Sequence, residues 1–128
     1  MTALELCMKR RAFPRRSVIL QAGSEARELF FLARGSVSVL VPLPSGANKR
    51  VATFCPGMAF GEMALLDGAP RSATVIADAD SECDILSLDE FDRLTVTHPR
   101  IKIAVLKNLC LGISARLREA NHQLSIFE

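Results

Sequence analysis

The sequence predicts a mainly β protein: an antiparallel β-roll of the jelly-roll or double-stranded β-helix kind, with one short internal helix and C-terminal helices closing it. Three observations carry that prediction. Between Val18 and Leu88, short apolar runs rich in β-branched residues alternate with turn residues. After Leu86 the apolar spacing changes from two residues to three or four. A chain of 128 residues that is 49% hydrophobic suits a single packed core. The expected organisation is one domain over residues 1–128, with the roll at about 13–87 and the helices at about 88–124.

Taken in order, Ala3 to Arg10 reads as a short helix, and Lys9, Arg10, Arg11, Arg15 and Arg16 crowd this end. Without interleaved aromatics, that basic cluster reads as a solvated face or a linker rather than a nucleic-acid patch. Leu29–Leu32 is the first strongly apolar strand. Ser36–Val41 alternates, placing Val37, Val39 and Val41 on one face and the two serines with Leu40 on the other. Pro42 to Asn48, with two prolines and Gly46, reads as a hairpin tip, and Arg50–Phe54 returns from it. Ala73–Ala77 and Cys83–Leu86 supply the last strands.

The helical signals follow. Ser87-Leu88-Asp89-Glu90 is a capping box, with Leu86 and Phe91 as its hydrophobic staple. It predicts a helix from about Leu88 to about Leu94. A second helix starts at Thr97 or His98, with Pro99 in its first turn, where a missing N–H costs nothing. Ile101, Val105, Leu109, Ile113, Leu117, Ala120 and Leu124 form one helical stripe. Gly112 interrupts it at a cost of about 1 kcal/mol relative to alanine and marks a place for a slight bend. From Pro99 to Gln123 this helix measures roughly 35–40 Å at about 1.5 Å per residue, too long to lie wholly on so small a roll.

The chemistry concentrates in Phe60-Gly61-Glu62-Met63-Ala64-Leu65-Leu66-Asp67-Gly68-Ala69-Pro70-Arg71-Ser72-Ala73-Thr74-Val75. A glycine-led helical turn carries one carboxylate, and a tight turn leads to an arginine followed by a hydroxyl. A carboxylate accepts hydrogen bonds from sugar hydroxyls, a guanidinium grips a phosphate through paired N–H groups, and a helix start adds backbone donors. These parts hold a sugar and an anion together.

This stretch resembles the phosphate-binding cassette of the cyclic nucleotide-binding domains found in catabolite activator proteins, cyclic-nucleotide-dependent kinases and cyclic-nucleotide-gated channels. The resemblance runs from about Phe13 to Ala120 and includes Gly23, the Leu29-Phe30-Phe31-Leu32 strand, Gly35 and the Pro56-Gly57 turn. It implies that Glu62 accepts the ribose 2′-hydroxyl and that Arg71 pairs with the exocyclic phosphate oxygens. It also implies that Gly61, Met63 and Ala64 offer backbone groups, and that Ser72 and Ala73 complete the phosphate cradle. Family members that have lost ligand binding commonly lack the glutamate or the arginine; both are present here. Base-capping contacts in the family come from the long terminal helix, which puts Ile113, Arg116 and Leu117 forward. Core packing for Ile113 and Leu117, and solvent for Arg116, are the competing readings. Ser72 leaves both cyclic AMP and cyclic GMP open as ligands, with a lean towards cyclic AMP.

Other classes fare less well. The roll shape is also that of the cupins, whose metal sites need several histidines from the strands. Here the two histidines, His98 and His122, fall in or beside the terminal helix, as a helix-start residue and a solvated one. No metal, cofactor or catalytic constellation is expected, and the chain is read as a non-enzyme. Five residues after Gln123 are too few for a helix-turn-helix, so no sequence-specific nucleic-acid binding by this chain alone is expected. An attached or separate output domain is the expected partner, and the projecting helix is a candidate homodimer surface. The alternative is a ligand-independent, or differently liganded, β-roll interaction or dimerisation domain from a transcription regulator lacking its DNA-binding part. No apolar run reaches about 18 residues and the basic start lacks a long apolar centre, so neither membrane insertion nor secretion is expected. A cytoplasmic location follows, at a membrane's cytoplasmic face if the chain belongs to a transporter or channel. Cys7, Cys55, Cys83 and Cys110 lie far apart and read as reduced, mostly buried thiols.

Overall fold

A computed structural model describes residues 7–25, 27–61 and 70–126. Eight strands appear among them: β1 (Lys9–Phe13), β2 (Val18–Leu20), β3 (Glu28–Arg34), β4 (Val37–Pro42), β5 (Asn48–Phe54), β6 (Ala59–Phe60), β7 (Thr74–Ala77) and β8 (Ser81–Ser87). Two helices follow, α1 (Leu88–Thr97) and α2 (Pro99–Ile126). The strands form two antiparallel four-stranded sheets, ordered β1-β8-β3-β6 and β2-β7-β4-β5. This is the β-roll with C-terminal helices that the apolar pattern predicts.

β3 shows why its sequence is apolar throughout. Phe30 and Leu32 face the core between the sheets, together with Phe54, Phe60, Val75, Cys83 and Ile85. Leu29 and Phe31 face the other way, onto Leu86, Phe91, Val105 and Leu109 of a second cluster under the helices. A strand covered on both faces loses the polar alternation of a half-exposed one. Gly35, between β3 and β4, has φ +98°, and a Cβ there would lie 2.7 Å from the Asp80 carbonyl and collide with Ser81. Only glycine lets the β3–β4 turn seat against the β7–β8 turn.

The hairpin tip forms between β4 and β5, with Leu43 N donating to Ala47 O at 2.7 Å. Val37 and Val39 face the core, but Ser38 on the opposite face is fully buried too. Its hydroxyl donates to Asp78, which Arg50 also approaches at 3.5 Å.

At the helices, Ser87 caps α1 by accepting from Glu90 N at 3.1 Å. α1 runs to Thr97, beyond the expected Leu94, and stops because the residue before Pro99 is forced out of helical geometry: His98 has φ −143° and ψ 69°. The His98 carbonyl accepts from Ile101 N and Lys102 N, so this residue ends one helix and begins the next. α2 continues unbroken through Gly112. Val105 and Leu109 are buried and Ile101 and Ile113 half-buried, whereas Leu117 is 60% exposed and Ala120 is exposed.

Two expectations are corrected. The segment read as an N-terminal helix up to Arg10 enters β1 at Lys9, so the roll starts there rather than near Phe13; residues 1–6 lie outside the described residues. β1 is an edge strand that buries only Phe13 and ties Arg10 to Asp84 at 2.9 Å, so it carries almost no apolar periodicity. The thiols are not mostly buried. Cys83 is buried in the core and Cys7 half-buried, but Cys55 opens an exposed turn and Cys110 sits on an exposed side of α2.

Candidate functional site

Gly61 and Arg71 meet beside the start of β3. β6 delivers Gly61 and β7 begins just after Arg71, and the two residues are joined directly: Arg71 Nη1 donates to the Gly61 carbonyl at 2.9 Å. Nη2 donates to the Glu28 carbonyl at 2.7 Å. The Arg71 backbone is anchored as well, since Gly23 N donates to its carbonyl at 2.7 Å and its own N–H donates to Ser24 O at 2.9 Å. The turn around Gly23 therefore serves the arginine. Arg71 is only 9% exposed, so a cation is held at a fixed place inside the protein boundary.

Gly61 is required twice over. Its φ is +84°, a region that side chains other than glycine rarely adopt. A Cβ there would lie 2.7 Å from Arg71 Nη1 and 3.2 Å from the Glu28 carbonyl. The missing side chain is the space the guanidinium occupies.

Beneath the guanidinium lies an aromatic floor. Arg71 Cζ is 6.0 Å from the centre of the Phe30 ring. Phe30 stacks on Phe60 at 5.1 Å with planes 12° apart, and Phe60 meets Phe54 at 6.1 Å and 51°. At the far end, Arg116 of α2 sets its guanidinium 5.1 Å from the Phe54 ring centre. Arg116 also borders a cavity of about 270 Å³ between α2 and the roll, lined by Phe31, Met58, Ala59, Asn108 and Leu109. That cavity faces away from Arg71, because Phe31 and Ala59 turn towards the helices while Phe30 and Phe60 turn inward.

The candidate residues divide as follows. Gly61 and Arg71 are in contact, Ser72 is exposed and Ala73 half-buried on the same segment. Glu62, Met63 and Ala64 lie outside the described residues. On α2, Arg116 reaches the roll's aromatic core, Ile113 is half-buried and Leu117 projects into solvent. Sequence reasoning missed Glu28, whose contribution is a backbone carbonyl and leaves no residue-type signal, and Phe30, Phe54 and Phe60 as the floor. Their shared signal is large rings on strands, two of them flanking the glycine closely in sequence or pairing with its strand.

The arrangement suits a small anion. The guanidinium is buried, two of its acceptors are the backbone carbonyls of Gly61 and Glu28, and hydrogen bonds from a guanidinium to the charged oxygens of an anion are stronger than those to neutral carbonyls. Among the described residues no group of three or more His, Cys, Asp or Glu side chains is placed to hold a metal ion. No described helix is long and apolar enough to cross a membrane. Burial pushes the Cys83 thiol up to about 11, with the Asp84 charge adding to the effect.

Residues 10–98 match the family model of the cyclic nucleotide-binding domain. Glutaminase 2 of Bradyrhizobium diazoefficiens is 41% identical over 108 residues, covering 84% of this chain and 16% of that protein. The cyclic AMP receptor protein of Thermus thermophilus is 34% identical over 118 residues, 92% of this chain and 53% of that protein. The crystal structure of a cyclic nucleotide-binding domain from Methylobacillus flagellatus superposes with a TM-score of 0.89 at 27% identity, covering 100% of this chain and 75% of that one. The chain thus spans a small part of the first relative and about half of the second.

Proposed function

The chain belongs to the cyclic nucleotide-binding domain family, and on that premise we propose that it is a receptor module whose occupancy by cyclic AMP or cyclic GMP is passed through α2 to an output domain or partner. The observation that carries this is Arg71, buried against Gly61 and held by two backbone carbonyls beside the start of β3. A cyclic phosphate diester carries one negative charge, and in a partly desolvated pocket one such pairing outweighs several exposed ones. The exocyclic oxygens take the Arg71 N–H groups, with Ser72 and Ala73 beside them. Glu62 accepts the ribose 2′-hydroxyl, and Gly61, Met63 and Ala64 present backbone groups to the sugar and phosphate. Of the three α2 candidates for the base, Ile113 and Leu117 offer apolar side chains to cover it, whereas Arg116 lies over Phe54 of the roll.

Transmission needs α2 to bind better in one arrangement than in another, because a ligand shifts an equilibrium only through differential affinity. The output is proposed by analogy. Named relatives include a glutaminase and a cyclic AMP receptor protein, and in each the matching region is a part of a longer chain. The module itself performs no catalytic step in this reading: His98 serves as the junction between helices, and His122 lies exposed on α2. A cytoplasmic setting accords with the exposed free thiols Cys55 and Cys110.

Calorimetric titration with cyclic AMP, cyclic GMP and linear AMP tests the assignment. Saturable binding of a cyclic nucleotide, and weaker binding of the linear one, is expected; no heat with either cyclic nucleotide refutes it. A second reading, a dimerisation domain independent of ligand, is favoured by the exposed Ile103, Leu111 and Leu117 on α2. Sedimentation over a concentration series without nucleotide separates the two, since that reading requires a dimer in the ligand-free protein.

A further inference from the structure

Two arginines from distant parts of the chain bracket one aromatic stack. Arg71 lies over Phe30, Phe30 stacks on Phe60, Phe60 abuts Phe54, and Arg116 lies over Phe54. The three rings are 2%, 2% and 5% exposed, so none has room to tilt alone in a close-packed interior. The middle ring is placed to act twice. Phe60 supports Phe30 beneath the Arg71 guanidinium, and its backbone leads directly into Gly61, whose carbonyl accepts Arg71 Nη1.

We propose that Phe60 is a positioning residue for Arg71, and that through Phe54 it joins the anion site to the docking of α2 by Arg116. The two carbonyls of Gly61 and Glu28 fix where the guanidinium's nitrogens point. The ring beneath fixes how far it stands from the floor. Seating Arg116 on Phe54 presses the same stack from the other end, so α2 docking favours the Arg71 pose that meets an anion. Coupling of this kind is reciprocal: an anion at Arg71 must hold Arg116 on Phe54 by the same factor. The proposal rests on the receptor reading for its ligand, but not for its geometry.

The test uses Phe60→Leu, Arg116→Gln, Arg116→Lys and the double variant Phe60→Leu/Arg116→Gln. Aromatic pairs contribute enough that Phe60→Leu is expected to weaken cyclic nucleotide binding about 2- to 10-fold. Arg116→Gln is expected to cost about 2- to 5-fold, and Arg116→Lys, which keeps a cation over the ring, to fall closer to the parent protein. The double variant should lose less than the product of the single losses. Each loss should be equal for cyclic AMP and cyclic GMP, because the stack meets the phosphate end. A loss confined to one base would put Arg116 on the base instead and overturn the proposal, as would fully multiplicative losses. Amide exchange of the nucleotide-free protein supplies the second arm: residues 110–118 should exchange faster in Phe60→Leu, and unchanged protection there refutes the link. If the parent protein binds neither nucleotide, the receptor reading fails, and the exchange arm alone decides this one. Should Phe60→Leu not fold, Phe60→Met, which also removes the ring but keeps more of its volume, takes its place in the same cycle and the same exchange measurement.

Discussion

Replacing Arg71 by alanine separates the two jobs that its position implies. Its guanidinium satisfies the Gly61 and Glu28 carbonyls at 2.9 and 2.7 Å. Leaving a buried acceptor without a donor costs about 1–3 kcal/mol. Both residues are half-buried, so water recovers part of that, and a net loss of about 2 kcal/mol is expected. Against the roughly 5–15 kcal/mol of a typical domain, Arg71→Ala stays folded at 25 °C. Its melting temperature should fall by roughly 6–12 °C for a chain of this size. The effect on ligand is larger. Removing one member of a buried, hydrogen-bonded charge pair costs about 2–5 kcal/mol, or about 30- to several-thousand-fold in affinity. Calorimetric titration measures the second quantity and scanning calorimetry the first. Unchanged affinity in a folded Arg71→Ala protein would refute the assignment of Arg71 to the anion. Lost affinity with no fall in melting temperature would refute the claim that the guanidinium also braces Gly61 and Glu28.

Three further predictions are independent of one another. Gly61→Ala forces a Cβ to within 2.7 Å of Arg71 Nη1 at a φ of +84°, so the guanidinium must move; nucleotide affinity should drop at least about tenfold, with about 1–2 kcal/mol lost in urea unfolding from the backbone strain alone. Ser87→Ala removes the side chain that accepts from Glu90 N at 3.1 Å, and should destabilise by about 1 kcal/mol in denaturant titration while leaving nucleotide affinity unchanged. Cys83 carries a thiol raised from 9.0 to about 11 by burial. The folded state therefore holds this proton more tightly than the unfolded state. Its contribution is fully present below about pH 9 and is lost as pH rises from there towards 11, on the order of 2 kcal/mol in all. A thermal-unfolding series from pH 8 to 11 should show this decline in the parent protein and a shallower one in Cys83→Ala.

Much of the architecture was legible because its signals are local. Ser87 and Glu90 sit three residues apart, and the capping bond forms between them wherever that helix begins. The β4–β5 hairpin is punctuated by its own prolines and glycine, and the apolar run of β3 reports burial on both sides. Gly61 and Arg71 each stand out in the sequence by their spacing and the residues around them, but the hydrogen bond that joins them does not. β1 was not, because an edge strand that buries one side chain of five leaves no period to detect.

What the amino-acid order determined alone was a roll of short strands, two helices of which Ser87 caps the first, and the residue types proposed for an anion site. Tertiary structure decided the rest: that the Glu28 carbonyl and the Gly23 turn hold Arg71, that Ser38 is buried beside Asp78, and that Arg116 closes an aromatic stack that begins at Phe30, 86 residues earlier in the sequence. A carbonyl oxygen is the same in every residue, and a phenylalanine in a strand looks alike whether it fills a core or supports a cation. Such roles depend on which strands become neighbours, and that is settled only when the two sheets pack.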